Sequence, residues 1–366
     1  MRFRQLDILN LRNLRQVSIQ PSSGINYLFG GNGAGKTAVL EAVHLLARGR
    51  SFRSGQVSEL VRAGEDHLTV RAAIEDEHRG EQRVALLRGR GGRGELRING
   101  EPGRRVSQAA VLMPVQVLGP LLSDLVFGGP GVRRQWLDWG VFHVEPGYLD
   151  TLRSYLQAVR QRNAALKRSG GSSGGAGSVE AFSESVATLG EDVSRARRGY
   201  LVELEVVLAR ALAAMAPEMT LEIGYRQGWP DEESLLKTLG DWRRREVKSG
   251  STQFGPHRAD LELRVAGQVA GGTVSRGQGK ILASAMMLAQ AELLQRRGRR
   301  STAFLIDDIG AELDSAHTQR FFQALKAVGS QIFATSNDPP GWIREVAGTD
   351  IRVFHVEQGS VTEGPS

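Results

Sequence analysis

The chain has 366 residues, enough for one large domain carrying an insertion or for two domains. It contains no cysteine, which excludes disulfides and thiolate metal sites and is compatible with a reducing compartment. A formal net charge of +7 favours a polyanionic partner such as nucleic acid over an acidic small molecule, although arginine richness also follows from a GC-rich genome.

The first residues, Met1-Arg2-Phe3-Arg4-Gln5-Leu6-Asp7, are charged and lack the apolar core of a signal peptide. No apolar run approaches a membrane span, since even residues 282–294 are broken by Ser284, Gln290 and Glu292. A soluble, cytoplasmic protein is expected. Residues 3–17 read as a strand pair around Asn10-Leu11-Arg12-Asn13, and residues 25–29 as the apolar strand that feeds Gly30-Gly31-Asn32-Gly33-Ala34-Gly35-Lys36-Thr37. Residues 38–46 follow as an amphipathic helix, with Leu40, Val43, Leu46 and Ala47 on its buried face.

Strand, glycine-rich loop and helix in this order form a P-loop, GxxxxGK[ST]. A triphosphate concentrates negative charge in a small volume, so bare backbone N–H groups must converge on it, and glycines expose them. Gly30, Gly31, Gly33 and Gly35 supply that backbone, together with Asn32 and Ala34. The helix N-terminus adds its dipole, Lys36 a mobile charge for the outer phosphates, and Thr37 a hydroxyl for Mg²⁺.

Residues 68–74, 83–87 and 95–98 read as short strands, with Asn99-Gly100 as a hairpin turn, giving an antiparallel β layer. Residues 111–118 form a further apolar strand ended by Gly119-Pro120, and Gln116 is a polar residue that a buried strand would not choose for packing. From residue 121 to about 242 the pattern turns helical, at 132–139, 148–168, 179–215 and 232–248, broken by a flexible Gly/Ser link at 169–178. Strands return at 260–265, 303–306 and 331–334, with helices at 280–295 and 315–327. The chain is thus expected to be α/β, a mostly parallel P-loop sheet with helices on both faces, interrupted by a helical arm. The head is expected at residues 1–120 and 250–366, and the arm at 121–249.

Ser275-Arg276-Gly277-Gln278-Gly279 precedes the helix at 280–295 and forms a second donor-rich helix N-terminus, suited either to an anion or to simple capping by Ser275. Two phosphate-type sites and one P-loop suggest that each is half of a composite pocket closed by a second copy of the chain. The apolar strand at 303–306 ends in Asp307-Asp308; Asp307 can hold Mg²⁺ with Thr37, and Asp308 can activate water, unless the pair is only a solvated turn. Glu312 and Asp314 follow, the latter also suited to an N-cap.

In this order the segments resemble the ABC-type, SMC-like ATPases of chromosome maintenance: Walker A at 30–37, Q-loop at Gln116, signature loop at 275–279, Walker B at 304–308 and D-loop at 312–314. Within that group the chain resembles the RecF family of bacterial recombinational DNA repair. The marks are Gly128-Gly129-Pro130 with Arg133-Arg134, Leu137-Asp138-Trp139-Gly140, Gly255-Pro256-His257-Arg258, and Ala303 to Asp308 with Glu312-Leu313-Asp314.

The resemblance implies an ABC-ATPase head with an inserted helical arm, and an ATP-dependent homodimer on double-stranded DNA and at junctions between duplex and single strand. It implies work with RecR and RecO to help load RecA at gaps, and weak, DNA-stimulated ATP hydrolysis. ATP would lie between Lys36 of one copy and Ser275, Gly277 and Gln278 of the other, with Thr37, Gln116 and Asp307 at Mg²⁺ and Asp308 on the water. Asp308 is a methylene shorter than the glutamate of many relatives, so turnover should be slow, and Thr335-Ser336-Asn337-Asp338 carries no histidine as γ-phosphate switch. Alternatives are a transporter ATPase subunit, for which no membrane partner region is visible, and an SMC-like structural clamp that uses ATP only as dimer glue. DNA-stimulated phosphate release separates the clamp from the ATPase.

Basic clusters at 88–93, 104–105, 133–134, 160–168, 195–198, 243–248 and 296–300 offer phosphate contacts. No helix-turn-helix, zinc pattern or stacking ladder accompanies them, so DNA binding should be sequence-independent and weakened by salt.

Overall fold

The structure, a computed structural model, describes residues 1–169, 176–298, 300–308, 314–339, 341, 343 and 350–364. Most of the link expected at 169–178, and the D-loop residue Glu312, lie outside the described residues. The chain forms two compact units, one of Met1–Leu122, Arg210–Pro217 and Lys280–Ser366, the other of Ser123–Ala209 and Glu218–Gly279.

In the first unit, β1 (Arg2–Leu11) and β2 (Leu14–Ile19) form a hairpin, β3 (Ile25–Phe29) leads to the glycine loop, and α1 (Lys36–Arg48) follows. With β4 (His67–Asp76), β5 (Gly80–Gly89), β6 (Gly94–Ile98) and β7 (Glu101–Pro102), the hairpin builds a six-stranded antiparallel sheet in the order β2-β1-β4-β5-β6-β7. Leu68, Val70, Ala72 and Ile74 alternate inward along β4, as a strand with one dry face requires, and share a core with Val39, Leu40, Val43 and Leu46 of α1. Asn99 and Gly100 turn β6 into β7 with φ of 54° and 89°, the twin left-handed residues of a type I′ hairpin.

The strand expected at 111–118 starts later. Helix α2 (Val106–Leu112) runs through Leu112, and β8 is Val115–Leu118. Pro114 explains the break, because a residue before proline is driven out of helical space, and Met113 accordingly has φ −125° and ψ 80°.

The second unit contains α3 (Asp124–Phe127), α4 (Pro130–Val144), α5 (Tyr148–Ser169) and most of α6 (Ala176–Met215). The expected helical run is interrupted by β9 (Glu222–Arg226), after which α7 (Leu235–Asp241) and α8 (Arg243–Ser249) replace one helix at 232–248. β9 pairs with β10 (Asp260–Val265), which pairs with β11 (Gln268–Val269), and α9 is Ala270–Thr273. That ladder holds residues 250–279 to the helical unit, so the seam expected at 249/250 lies at 279/280.

The interior of this unit is unusually ionic. Arg197, 2 % exposed, donates Nε to Asp138 Oδ1 at 2.8 Å and Nη2 to Oδ2 at 3.1 Å, and its Nη1 reaches Pro256 O at 2.8 Å. Arg162 pairs with Glu246 at 2.7 Å, both fully buried, and Arg133 grips Asp260 in bidentate fashion at 2.7 and 3.0 Å. Arg134 donates to Ala259 O at 2.6 Å. Four arginines from the basic clusters are therefore engaged within the fold, and the two fully buried ones, Arg162 and Arg197, are charge-paired as a buried cation requires. Arg93, Arg104, Arg160 and Arg168 are exposed.

Helix α10 (Arg276–Gly298) leads back to the first unit, where β12 (Ala303–Ile306), α11 (Ser315–Ala327), β13 (Gln331–Ser336), β14 (Ile351–Glu357) and β15 (Ser360–Glu363) follow. They complete a second six-stranded sheet, β15-β14-β3-β13-β12-β8, parallel except for β15. Among the described residues no helix is long and apolar enough to cross a membrane.

Tyr155 donates to His257 Nδ1 at 2.5 Å while His257 Nε2–H donates to Thr252 O at 3.1 Å, a pattern that suits the neutral ring. Burial is the main force pushing His257 down to about 4, and burial does the same to His44. Both pKa values lie below the unfolded value of 6.5, so their contribution is complete above that pH and is lost as pH falls toward about 4. Stability is expected to fall across this window by up to about 1.4 kcal/mol per pH unit for each histidine. His257→Gln keeps the acceptor and donor, and urea titrations at pH 6 and 5 should show a pH slope reduced by about half; an unchanged slope would contradict the assignment.

Candidate nucleotide site

The strand β3 ends at Phe29, and the loop leaves the sheet at Gly30 with φ +153°. A Cβ there would lie 2.1 Å from Val356 O of the neighbouring β14, so only glycine lets the loop pass this strand. Gly31 and Gly33 face open space, where an added Cβ meets nothing within 4 Å. Asn13, in the β1–β2 turn, donates Nδ2 to Gly33 O at 2.9 Å and Ala34 O at 3.0 Å and so pins the loop from outside. Beside it Arg12 makes a bidentate pair with Glu41 of α1 at 2.9 and 3.1 Å. The hydrogen bond to Glu41, ahead of its charge, raises the pKa of Arg12.

Six polar side chains converge at the carboxyl ends of β3, β13 and β12. Lys36 Nζ donates to Gly30 O at 2.7 Å, Gly31 O at 2.8 Å and Asn337 Oδ1 at 3.0 Å. Burial lowers its pKa, opposed by Asp308 and Asp307. Thr37 donates to Asp307 Oδ1 at 2.7 Å, joining the P-loop helix to the end of β12. The same oxygen accepts from Thr335 Oγ1 at 3.0 Å. Asp308 is exposed with φ +54°, and its N–H donates to Thr335 Oγ1 at 2.9 Å.

These residues line one cleft of about 1150 Å³ with Asn32, Gly33, Ala34, Gly35, Asn13 and Arg12. Among the described residues no cluster of three or more His, Asp or Glu could cage a metal alone. The donors present, a hydroxyl and a carboxylate, fit Mg²⁺, which takes few protein ligands and completes its shell with phosphate and water.

Gln116 does not join this cleft. Successive residues of β8 face opposite sides of the sheet; Val115 packs into the α1 core, and Gln116 points the other way and donates to Gln290 Oε1 of α10 at 3.1 Å. Gln116 thus stands apart from the Thr37–Asp307 pair expected to hold Mg²⁺ with it, directly or through water. Ser275, Gly277 and Gln278 belong to the other unit and are exposed. Ser275 Oγ accepts from Gln278 N at 3.2 Å and Gln278 Oε1 from Ser275 N at 2.9 Å, a reciprocal capping box, so the capping role is realised in this loop. Asp314 caps α11 by accepting from His317 N at 3.0 Å, and that bond is the main cause of its lowered pKa. Asn13, Thr335 and Asn337 are site residues that the motifs did not single out. Their signal is positional: each sits in a turn or at a strand end next to a motif strand.

The RecF/RecN/SMC N terminal domain family matches residues 2–362. A DNA replication and repair protein RecF of Shewanella denitrificans is 36% identical over 362 residues, covering 99% of both chains. Its counterpart in Pseudomonas putida is 37% identical over 367 residues, covering 99% of this chain and 98% of that one. Among solved structures, the recombination mediator protein RecF–ATP of the RecFOR pathway superposes with a TM-score of 0.89 at 25% identity, over 100% of this chain and 98% of that one. The Smc head domain with coiled coil and joint from Pyrococcus yayanosii, at 14% identity and a TM-score of 0.62 over 99% and 96% of the two chains, shares the fold.

Gly30 and Gly31 separate structural from ligand-facing roles. Gly30→Ala should lower the melting temperature, because its Cβ meets backbone, whereas Gly31→Ala should melt like the parent and bind ATP more weakly. Calorimetry together with fluorescent-nucleotide titration checks this, and equal melting of the two variants would contradict it.

Proposed function

The chain belongs to the RecF family of DNA replication and repair proteins, and from that premise we propose that it is an ATP-dependent, DNA-binding recombination mediator with weak, DNA-stimulated ATPase activity. The observation that carries this reading is the Thr37–Asp307 hydrogen bond, with Lys36 and Asp308 lining the same cleft. The loop N–H groups and Lys36 hold the phosphates; Lys36 exchanges its carbonyl and Asn337 partners for phosphate oxygens. Thr37 and Asp307 would hold Mg²⁺, which would supply positive charge against the phosphates of the nucleotide. Asp308, at the cleft surface, orients the attacking water and accepts its proton.

The second half of the site comes from another copy of the chain. The cleft volume of about 1150 Å³ exceeds that of an ordinary enclosed ligand pocket, about 300–1000 Å³, which leaves room for groups from a second chain. The capping box holds Ser275 and Gln278 as an exposed, pre-formed loop, and Gly277 leaves the approach open. ATP thus joins two copies on double-stranded DNA and at junctions of single and double strands, and hydrolysis releases them. RecR and RecO are the partners in this reading, and RecA is loaded at gaps as the outcome, in the cytoplasm.

Phosphate release measured with and without duplex DNA tests this reading. DNA should raise the parent's rate severalfold, and Ser275→Arg should abolish the increase while ATP still binds. Ser275→Arg with a parental DNA response would overturn the shared site. ATP-driven pairing with no DNA effect on hydrolysis would favour the clamp.

A further inference from the structure

We propose that Thr335 is a positioning residue for the hydrolytic centre: one buried hydroxyl fixes both aspartates at the end of β12. The inference rests on the nucleotide reading above and concerns the first residue of the segment 335–338, where no switch histidine stands.

Sheet order is the first support. β13 lies between β3, which carries the P-loop, and β12, which carries Asp307 and Asp308. A residue at the carboxyl end of β13 is therefore flanked by both halves of the site. Thr335 occupies that place, paired in register with Leu28 of β3, and is 1 % exposed.

Its hydroxyl is used twice. Oγ1 donates to Asp307 Oδ1 at 3.0 Å and accepts from Asp308 N at 2.9 Å. Because Asp307 Oδ1 also accepts from Thr37 at 2.7 Å, two hydroxyl bonds fix the plane of this carboxylate. Asp308 adopts φ +54°, a left-handed conformation that aspartate tolerates better than most side chains and that a specific backbone bond can hold in place. The bond from its N–H to Thr335 is such a constraint, and it sets where the Asp308 side chain leaves the backbone. Valine in place of threonine keeps the shape and removes both bonds, so the Asp308 N–H loses this acceptor and Asp307 loses one of its two hydroxyl donors. Serine keeps the hydroxyl and removes a methyl.

The two roles open to Thr335 order these variants oppositely. If Thr335 only packs, Thr335→Val should resemble the parent and Thr335→Ser should be worse. If it positions the aspartates, Thr335→Ser should stay close to the parent and Thr335→Val should lose about tenfold or more in kcat, the usual scale for removing an outer partner of a metal or catalytic group. ATP affinity measured in EDTA should change little in Thr335→Val, while the tightening produced by adding Mg²⁺ shrinks. Single-turnover hydrolysis and nucleotide titration with and without Mg²⁺ on the full chain read these quantities, with melting temperature as the folding check. If Thr335→Val does not fold, Thr335→Ala against Thr335→Ser carries the same comparison. A folded Thr335→Val with parental kcat and a parental Mg²⁺ effect overturns the positioning role and leaves the ATPase reading standing. A parent chain that hydrolyses no ATP removes both.

Discussion

The hydrogen bond from Thr37 to Asp307 links residues 270 positions apart, and the chemistry attributed to this chain depends on it. It forms because β3 and β12 flank β13 in a parallel sheet, so that the loop after β3 and the carboxylates after β12 emerge on the same edge. Ligands of open α/β sheets bind at this edge because the backbone diverges there and helix N-termini point into it. The buried face of α1 makes the placement rigid: Val39, Leu40, Val43 and Leu46 leave the helix no freedom to carry Thr37 away. Asn13 and the Arg12–Glu41 pair add a second restraint from the antiparallel sheet.

The residues that most specifically mark the family act largely inside the second unit. Asp138 and Pro256 receive Arg197, Gly128 receives Arg133, and His257 receives Tyr155. Two of these bonds tie a helix to the segment around Gly255, one joins α6 to α4, and one closes the start of α4. Within this unit, paired buried charges fix the geometry at the cost of desolvation. This explains why runs of arginine that suggested a DNA surface are partly interior.

Local pattern made much of the fold legible. The P-loop, the Asn99-Gly100 turn, the strands at 260–265 and 303–306 and the helix at 315–327 follow from glycine conformation and apolar spacing, which act over a few residues. The meeting of Asp307 with Thr37 was legible because, once a P-loop is present, a carboxylate ending a second apolar strand is the expected other half of the site. The side of β8 to which Gln116 turns depends on register against β12, which local spacing does not encode. The burial of Arg162 and Arg197 depends on carboxylates far along the chain, Glu246 and Asp138. β9 was hidden because its residues alternate between intermediate and exposed, without the apolar face that announces a strand. Thr335 was visible as a residue and silent as a function until the sheet order placed β13 between the two motif strands.

One claim joins the site to the proposed biology: a single chain presents the phosphate-gripping half of the pocket, and its signature loop serves another copy. The most direct measurement is the solution mass by multi-angle light scattering with Mg²⁺ and a slowly hydrolysed ATP analogue, compared with ADP. The account expects twice the monomer mass with the analogue and the monomer mass with ADP. A mass that stays monomeric under saturating ATP, in protein that still releases phosphate at the same rate per chain over a hundredfold dilution, would contradict it.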